Sequence, residues 1–373
     1  NNGNLQVAYV NPWVSATQTG YNQNWENNIQ TNVTLEQNLD FITKGLHFTG
    51  RFGYDTYNKN NIHHRRIPAL YSATKRDTDT GEIIFEKMLD ARDMYQFTEN
   101  DGSRREFLDL LLHWDRQFAK AHNFGVNIKF TQDENITTQN LGTDIKNSVS
   151  RKNMGLASQF TYNYKNRYFL DYNFGYNGSE NFADGHRWGF FPGISLGWNM
   201  MEEDFWKESK LSNFISNIKP RISYGSNGNV SGIGDFYIYG IYDQLTNYHG
   251  NTAFYDRSLV NTALKWEQSH TFEAGLDLGF FKNRLSLILD YYVRNTSNLL
   301  QSVSLPSYLG FSSIQTNLGK LRNQGFEMEV RATPIHLKNS FRWDLSFNLS
   351  TVKNTIIQLP KSDRPFNQLQ GVE

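Results

Sequence analysis

The amino-acid sequence predicts an all-β fold, in which about twelve antiparallel strands form a transmembrane β-barrel segment. Three observations lead to this expectation. Apolar and polar residues alternate in many segments, aromatic residues make up 15% of the chain, and short connections alternate with long ones along the sequence. Each of these is typical of strands that separate an apolar medium from a polar one.

The clearest alternation lies in residues 340–350 (SFRWDLSFNLS). Successive side chains of a strand point to opposite faces, so one face of this segment is apolar and the other is polar. Similar patterns predict further strands in residues 29–39, 46–54, 108–114, 124–130, 156–164, 168–176, 272–278, 285–291 and 326–330.

The polar faces of these strands carry charged residues, which are costly to bury in a dry core. We therefore expect these side chains to face a polar lumen or a plug that fills it. Periodicity alone also permits a soluble sandwich with its apolar faces turned inwards. The candidates for lumen-facing or plug-facing residues are Arg51, Asp171, Asp277, Glu327, Glu329, Arg331, Arg342 and Asp344.

Composition excludes several other classes of protein. Hydrophobic residues make up 38% of the 373 residues, and no run approaches the roughly 18–20 apolar residues of a spanning helix. The formal net charge is +0 and no basic stripe is present, which argues against a nucleic-acid partner. The absence of cysteine excludes disulfides and cysteine-bound zinc.

The connections favour a barrel over a sandwich. Short links are expected at 42–45, 120–123, 165–167, 282–284 and 337–339, and long ones at 58–104, 133–149, 228–263 and 295–319. Outer-membrane barrels have short periplasmic turns and long extracellular loops. Residues 201–217 break the rule as a short amphipathic helix on the periplasmic side. Tyrosine and tryptophan at the strand ends suit the membrane interface.

From residue 167 onward the sequence resembles the SusC/RagA-like TonB-dependent outer-membrane transporters of Bacteroidetes. The resemblance covers about 190 residues, and it rests on many ordered matches that are each weak alone. The matching stretches include 177–182 (NGSENF), 187–198 (RWGFFPGISLGW), 218–225 (IKPRISYG), 264–267 (LKWE), 275–280 (GLDLGF) and 323–327 (NQGFE). Residues 1–150 match in strand rhythm only.

This resemblance implies a barrel of 22 strands, an N-terminal plug domain and a segment that contacts TonB. It also implies uptake of oligosaccharides, or alternatively oligopeptides, through the bacterial outer membrane beneath a SusD-like surface lipoprotein. We expect residues 1–373 to be part of a single receptor barrel domain, with the plug and the TonB-contacting segment absent. An open sheet of twelve strands would leave two unpaired edges in lipid.

The sequence leaves weaker alternatives open, namely an adhesin or an outer-membrane hydrolase. His113 with Asp109 and Asp115 is the best catalytic candidate, but no Gly-x-Ser-x-Gly elbow occurs, and we expect no catalytic residue, metal or cofactor. Residues 77–82 are interpreted as a hairpin tip rather than a calcium loop. Residues 63–66 are interpreted as an exposed basic loop.

Aromatic residues in one long connection are the candidates for substrate contact. Aromatic rings beside hydroxyl groups suit sugars and peptide side chains equally. Packing of the loop against its neighbours explains the same residues equally well. The candidates are Phe236, Tyr237, Tyr239, Tyr242, Tyr248 and Tyr255.

Overall fold

The computed structural model describes residues 12–142, 145–232, 237–240, 242–248, 251–256, 258–337 and 340–359, and strands dominate them. Helices α1 (Pro12–Gln18) and α2 (Asp204–Lys207) are short, as are the 3₁₀ helices Ile145–Ser148, Met200–Glu202, Lys210–Asn213 and Ser307–Leu309. The strands are β1 (Gly20–Asn38), β2 (Leu46–Ile67), β3 (Leu70–Arg76), β4 (Ile83–Leu89), β5 (Arg92–Phe118), β6 (His122–Gln139), β7 (Arg151–Tyr164), β8 (Tyr168–Ser179), β9 (Trp188–Trp198), β10 (Ile215–Asn229), β11 (Tyr242–Tyr248), β12 (Asn251–Asp256), β13 (Glu267–Phe280), β14 (Leu285–Ser304), β15 (Ser313–Leu337) and β16 (Phe341–Gln358).

Twelve of the strands form one sheet in the order β1-β2-β5-β6-β7-β8-β9-β10-β13-β14-β15-β16. The strands of this sheet follow the sequence, and the hairpins β3–β4 and β11–β12 form two small sheets of their own. The β13–β14 register runs unbroken from Gln268↔Ser297 to Phe280↔Leu285. The predicted number of strands is confirmed.

The chain divides into two compact units. The smaller contains residues 1–32, 53–106 and 135–150, and in its described part it holds α1, the β3–β4 hairpin and parts of β1, β2, β5 and β6. The larger contains residues 33–52, 107–134 and 151–373, and it holds the turns at 40–45, 119–121, 165–167 and 281–284 and the candidate site described below.

Backbone hydrogen bonds link the short turns of the larger unit to their neighbours. The Lys165 N–H donates to the Ala121 carbonyl at 2.7 Å, and the Asn199 N–H donates to the Arg167 carbonyl at 2.7 Å. In the β13–β14 turn, the Phe281 N–H donates to the Phe214 carbonyl at 2.9 Å. These bonds place successive turns side by side at one end of the sheet, which we call the short-turn end. The long connections leave from the opposite end, the long-connection end.

Gly45 shows how local backbone geometry sets one of these turns. Its φ is +85°, and a Cβ there would lie 1.9 Å from the carbonyl oxygen of Asp115. The Asp115 N–H donates to the Gly45 carbonyl at 3.1 Å. Glycine is favoured in this left-handed conformation, and only glycine leaves room for so close an approach to the Asp115 backbone.

The two faces of the sheet differ as the alternation predicts. On β8 and β9, Tyr172 pairs with Ile194 on one face, and Asp171 pairs with Ser195 on the other. Tyr172 and Ile194 are exposed. Within the described residues, Phe182 and Leu264 are the only large side chains that are fully buried, so the apolar face is not the covered face of a sandwich. We call the two sides the apolar face and the polar face.

Several predicted boundaries need correction. The link predicted at 58–104 is mostly strand, because β2 continues to Ile67 and β5 begins at Arg92. Residues 63–66 belong to β2 rather than to an exposed loop, and the side chain of His63 is only 13% exposed where its ring stacks on Phe97. The hairpin tip at 77–82 is confirmed, since the Asp77 N–H donates to the Glu82 carbonyl. The helix predicted at 201–217 is three short helical turns between 200 and 213.

A search of the described residues for membrane-spanning helices finds none that is long and apolar enough.

Candidate functional site

A small hydrophobic core joins two long connections of the larger unit to the end of β14. Phe182 follows β8 and Leu264 precedes β13, and both side chains are completely buried. Half-buried residues from β14 and from the β10–β13 connection pack against them. These are Val230, Tyr237, Trp266 and Leu300. We call this set of six residues the loop core.

Trp266 connects the loop core to the sheet. Its ring centroid lies 5.4 Å from that of Phe182 and 5.4 Å from that of Phe191 on β9. Its Nε1–H donates a hydrogen bond to the Arg187 carbonyl at 3.0 Å. Gly228 on β10 has no side chain because a Cβ there would lie 2.1 Å from the Phe191 ring. The absence of a side chain at Gly228 therefore leaves room for the Phe191 ring beside the backbone of β10.

The amide of Asn317 on β15 ties the β10–β13 connection to β14 through their backbones. Its Nδ2 donates to the Lys265 carbonyl and to the Asn298 carbonyl, both at 2.8 Å, and its Oδ1 accepts from the Lys265 N–H at 3.0 Å. Asn261 adds a bond from its Nδ2 to the Gln315 carbonyl at 2.8 Å. Long connections usually retain conformational freedom, and these bonds restrict it.

The predicted substrate-contact residues divide into packed and exposed ones. Tyr237 packs in the loop core, and its hydroxyl accepts a hydrogen bond from the Gln315 N–H at 2.9 Å. Tyr239, Tyr242 and Tyr255 are 50%, 67% and 52% exposed. Phe236 and the side chain of Tyr248 lie outside the described residues. The exposed phenol rings of Tyr242 and Tyr255 could contact a ligand, and contact with substrate remains a prediction for all of the candidates.

Arg221 on β10 organises the polar face. Its Nε donates to Asp277 Oδ1 at 3.1 Å, its Nη1 to Glu273 Oε1 at 3.0 Å and its Nη2 to Asp290 Oδ2 at 2.7 Å. One guanidinium thus holds three carboxylates from β13 and β14, and Asp290 lies opposite Glu327 of β15 in the register. This part of the polar face has an excess of negative charge.

A cavity of about 670 Å³ lies against the polar face between β5 and β13. Its lining includes Asp171, Lys219, Arg221 and Glu273, so charges of both signs meet in it. Phe169 supplies an aromatic ring, with the Nζ of Lys219 5.0 Å from the ring centroid. The cavity can hold polar chains that carry either charge.

The structure distributes the other lumen-facing candidates along the polar face. Asp171 accepts hydrogen bonds from Gln159 and Asn173, and Glu329 forms an ion pair with Arg331. Asp344 accepts from Thr333 at 2.6 Å and pairs with Arg342 at 2.8 Å. Arg51 and Glu327 are exposed. Asp277 is the only predicted candidate that contacts Arg221 among the described residues. Glu273 and Asp290, which also bind Arg221, were not among the candidates.

His113 has structural partners at both ring nitrogens. Nδ1 lies 2.6 Å from Asn127 Oδ1, and Nε2 lies 3.1 Å from Asp115 Oδ1. Asp109, the other acid of the candidate catalytic cluster, pairs with Lys129 at 3.5 Å instead. Among the described residues, no group of three or more histidine, aspartate or glutamate side chains is arranged to hold a metal ion.

Glu203 forms a hydrogen-bonded cluster at the short-turn end. Its carboxylate accepts from the Tyr168 hydroxyl at 2.6 Å, from Trp198 Nε1 at 3.0 Å and from Arg167 Nη1 at 3.0 Å. Arg167 also pairs with Asp204 at 2.8 Å. The hydrogen bonds from Tyr168 and Trp198, together with the charge of Arg167, hold the pKa of Glu203 below its usual value.

Sequence reasoning missed the two organising residues, Arg221 and Glu203. Arg221 alternates with Pro220 and Ile222 on β10, so the same period-two pattern could have placed it on the polar face. Its role as a shared partner depends on the pairing of β10 with β13, which is not local in sequence. No sequence pattern pointed to Glu203, because its partners come from two separate segments, Arg167 and Tyr168 at the start of β8 and Trp198 at the end of β9.

An antiparallel sheet with an exposed apolar face and a charged, cavity-bearing polar face defines a β-barrel protein of the membrane. The model of the family described as TonB dependent receptor-like, beta-barrel, matches residues 1–369, and the chain belongs to that family. Members of this family reside in the bacterial outer membrane, and this chain is therefore an outer-membrane protein. In such a barrel the apolar face meets lipid, so we expect the polar face to be the lumenal face. The short-turn end is periplasmic and the long-connection end is extracellular.

Curated relatives agree with this assignment. The TonB-dependent receptor P39 of Formosa agariphila is 33% identical over 251 residues, which are 67% of this chain and 24% of that protein. The TonB-dependent receptor SusC of Bacteroides thetaiotaomicron is 36% identical over 213 residues, or 55% of this chain and 21% of SusC. The chain thus spans about a quarter of the length of these relatives.

Among solved structures, the chain is similar to the RagAB peptide transporter, with a TM-score of 0.69 and 19% identity. The match covers 91% of this chain and 37% of that one. At this level of identity the similarity concerns the fold.

Proposed function

We propose that this chain is part of the barrel of a SusC/RagA-like importer that takes up oligosaccharides by a TonB-dependent mechanism. The loop core carries the proposal, because it packs two long connections against the end of β14 and so gives them a firm support at the extracellular end. The exposed rings of Tyr242 and Tyr255 on the β11–β12 hairpin belong to one of these connections. Planar phenol rings bind sugar faces by stacking and sugar hydroxyls by hydrogen bonds.

Oligopeptides are the second candidate substrate. The structural neighbour RagAB is described as a peptide transporter, and the lumenal cavity contains both Lys219 and Asp171. Charges of both signs would pair with the termini and side chains of a peptide. A neutral sugar chain has no charged group that could form such pairs.

The remaining barrel strands, the plug and the TonB-contacting segment are proposed to lie outside residues 1–373. In the described part of the chain, β1 and β16 each have one neighbour in the large sheet. An unpaired strand edge in lipid costs several kcal/mol for each unsatisfied backbone group. Further strands would satisfy both edges, and a SusD-like lipoprotein would close the extracellular opening.

Growth of the native host on one defined substrate tests the proposal. Deletion of the gene that encodes this chain should abolish growth on one glycan as sole carbon source and spare growth on free monosaccharides. Growth lost on oligopeptides instead would establish the second candidate. Unchanged growth on every tested glycan and peptide would refute the importer function.

Binding by the purified receptor identifies the contact residues. Tyr242→Ala and Tyr255→Ala should each weaken binding of the active substrate about tenfold, since aromatic stacking contributes about 1 kcal/mol or more. Tyr308→Ala is the matched control, because Tyr308 is an exposed tyrosine in a different extracellular connection. Equal affinities in all three variants would rule out the hairpin as the contact surface.

A further inference from the structure

The short hairpin turns at the periplasmic end are strongly basic. Residues 40–45, 119–121, 165–167 and 281–284 contain six lysines and arginines but one carboxylate, Asp40. Arg167 forms ion pairs with Glu203 and Asp204 of the same chain. The remaining five cations are exposed, and we call them the cation row. They are Lys44, Lys120, Lys165, Lys282 and Arg284.

Four of the five residues of the cation row have no counter-charge within the described part of the chain, and the exception is Lys44, whose charge interacts with that of Asp40. The acidic link between β9 and β10 pairs with other cations, as Glu202 does with Lys207 at 2.8 Å. Asp40 accepts hydrogen bonds from the Gly45 N–H at 2.7 Å and from Asn38 at 2.9 Å. No residue of the cation row lies within ion-pair distance of a described carboxylate. The positive charge at this end is therefore available to a partner.

Backbone geometry makes the lysines unusual at these positions. Lys120, Lys165 and Lys282 have φ values of +56°, +51° and +59°. This left-handed conformation favours glycine and asparagine, and a side chain such as lysine adopts it at a cost. Three separate turns thus place a cation where turn chemistry alone would favour another residue.

Exposed apolar side chains accompany the cations in the same turns. Phe41 and Ile42 are 79% and 65% exposed two or three residues before Lys44, and Phe281 is 50% exposed beside Lys282. Phe118 precedes Lys120, and Tyr164 precedes Lys165 with its ring centroid 5.4 Å from the lysine Nζ. An apolar group beside a long cationic chain is the arrangement that suits a lipid headgroup layer.

We propose that the cation row binds anionic phospholipid headgroups in the periplasmic leaflet of the outer membrane. The apolar side chains would enter the edge of the hydrocarbon layer, while the lysine and arginine heads reach the phosphates. Basic clusters beside a membrane bind anionic lipids in this way. The backbone hydrogen bonds between successive turns align the cations along one edge, so that several headgroups are bound together.

The test uses the complete receptor in lipid nanodiscs that contain phosphatidylcholine with or without phosphatidylglycerol. The variant K120Q/K165Q/K282Q/R284Q removes four charges of the cation row. The control K75Q/R76Q/K87Q/K265Q removes four exposed charges from the β3–β4 hairpin and the segment before β13. Native mass spectrometry after transfer to detergent counts the phosphatidylglycerol and phosphatidylcholine molecules that remain bound.

The unmodified receptor and the control should retain phosphatidylglycerol preferentially, and the preference should fall with added salt. The four-site variant should lose the preference by about tenfold or more. A K120R/K165R/K282R variant should keep it, which separates charge from turn folding. An equal preference in the four-site variant and the unmodified receptor would overturn the proposal, as would an equal loss in the control. Substrate uptake is not the readout, so this result is independent of the proposed function.

Discussion

The two ends of the larger unit are held together by different interactions. At the extracellular end, long connections are fixed by the buried Phe182 and Leu264 and by side-chain amides such as Asn317 that bind backbone carbonyls. At the periplasmic end, three- to six-residue turns are fixed by backbone hydrogen bonds to their neighbours, and their side chains are exposed. Closing a long connection costs more conformational entropy than closing a short turn. A hydrophobic core is therefore needed at one end only.

The same ends differ in charge. The sequence of the larger unit's connections 180–187, 230–266 and 305–312 contains three cations and five carboxylates. The four hairpin turns contain six cations and one carboxylate, and even with the acidic 199–214 link the periplasmic end carries eight cations and five carboxylates. The extracellular end is thus acidic and supported by packing, and the periplasmic end is basic and supported by backbone pairing. Each difference can be tested by substitution.

The largest effect is expected from the loop core. Phe182→Ala should destabilise the extracellular connections by about 3–5 kcal/mol, because it removes a fully buried aromatic ring. Hydrogen exchange should rise in the segments around Trp266 and Leu300 and remain unchanged in the periplasmic turns. Tyr308→Ala, at an exposed tyrosine, should stay within about 0.5 kcal/mol. Equal exchange at both ends would show that the ends are not held independently.

The next largest effect is expected on the apolar face of the sheet, between the two ends, where the side chains face lipid. Leu345→Arg on β16 should cost about 2–4 kcal/mol in the free energy of folding into vesicles, because it places a charge on the apolar face near the midplane. Asn348→Arg is the control on the opposite face, since Asn348 lies opposite Glu329 of β15. A cost near zero at Leu345 would reverse the assignment of the faces.

These faces are also the part of the fold that the sequence predicted best. A period of two is local, so the alternation from Phe341 to Leu349 predicted a strand and its two faces without knowledge of its neighbours. Short turns such as Lys165–Arg167 were local as well and were predicted correctly. Strand ends were predicted less well, because β2 and β5 extend beyond the alternating region into polar sequence.

The candidate site depended on contacts between distant segments, and the sequence predicted it only in part. The carboxylate of Asp277 was predicted on the polar face, but its partner Arg221 lies 56 positions earlier in the sequence. Tyr237 was predicted as either a ligand contact or a packing residue, and the structure shows packing against residues from separate connections. Strand pairing determines which polar residues meet, and periodicity does not contain that information.

A smaller effect is expected on the lumenal face. Arg221→Met should destabilise the sheet by about 1–2 kcal/mol, because three carboxylates lose their shared cation in a half-exposed site. Arg342→Met should cost less than about 1 kcal/mol, since its ion pair with Asp344 is more exposed. Chemical unfolding in detergent measures both variants. Added salt should reduce the difference between Arg221→Met and the unmodified protein if electrostatic repulsion is its cause.

The smallest effect is a pH dependence at the periplasmic end. Hydrogen bonds from Tyr168 and Trp198 and the charge of Arg167 lower the pKa of Glu203 in the folded protein below its ordinary value of 4.5. The folded state therefore favours the ionised carboxylate, and its stabilising contribution is complete above about pH 4.5 and is lost as the pH falls through the lowered pKa. Glu203→Gln should remove this dependence and reduce stability at neutral pH. Glu208→Gln changes an exposed carboxylate of the same link and should leave the pH profile unchanged. Unfolding free energies measured in detergent between about pH 3 and pH 6 distinguish the two variants, and identical profiles would show that the Glu203 cluster does not hold the β9–β10 link against the sheet.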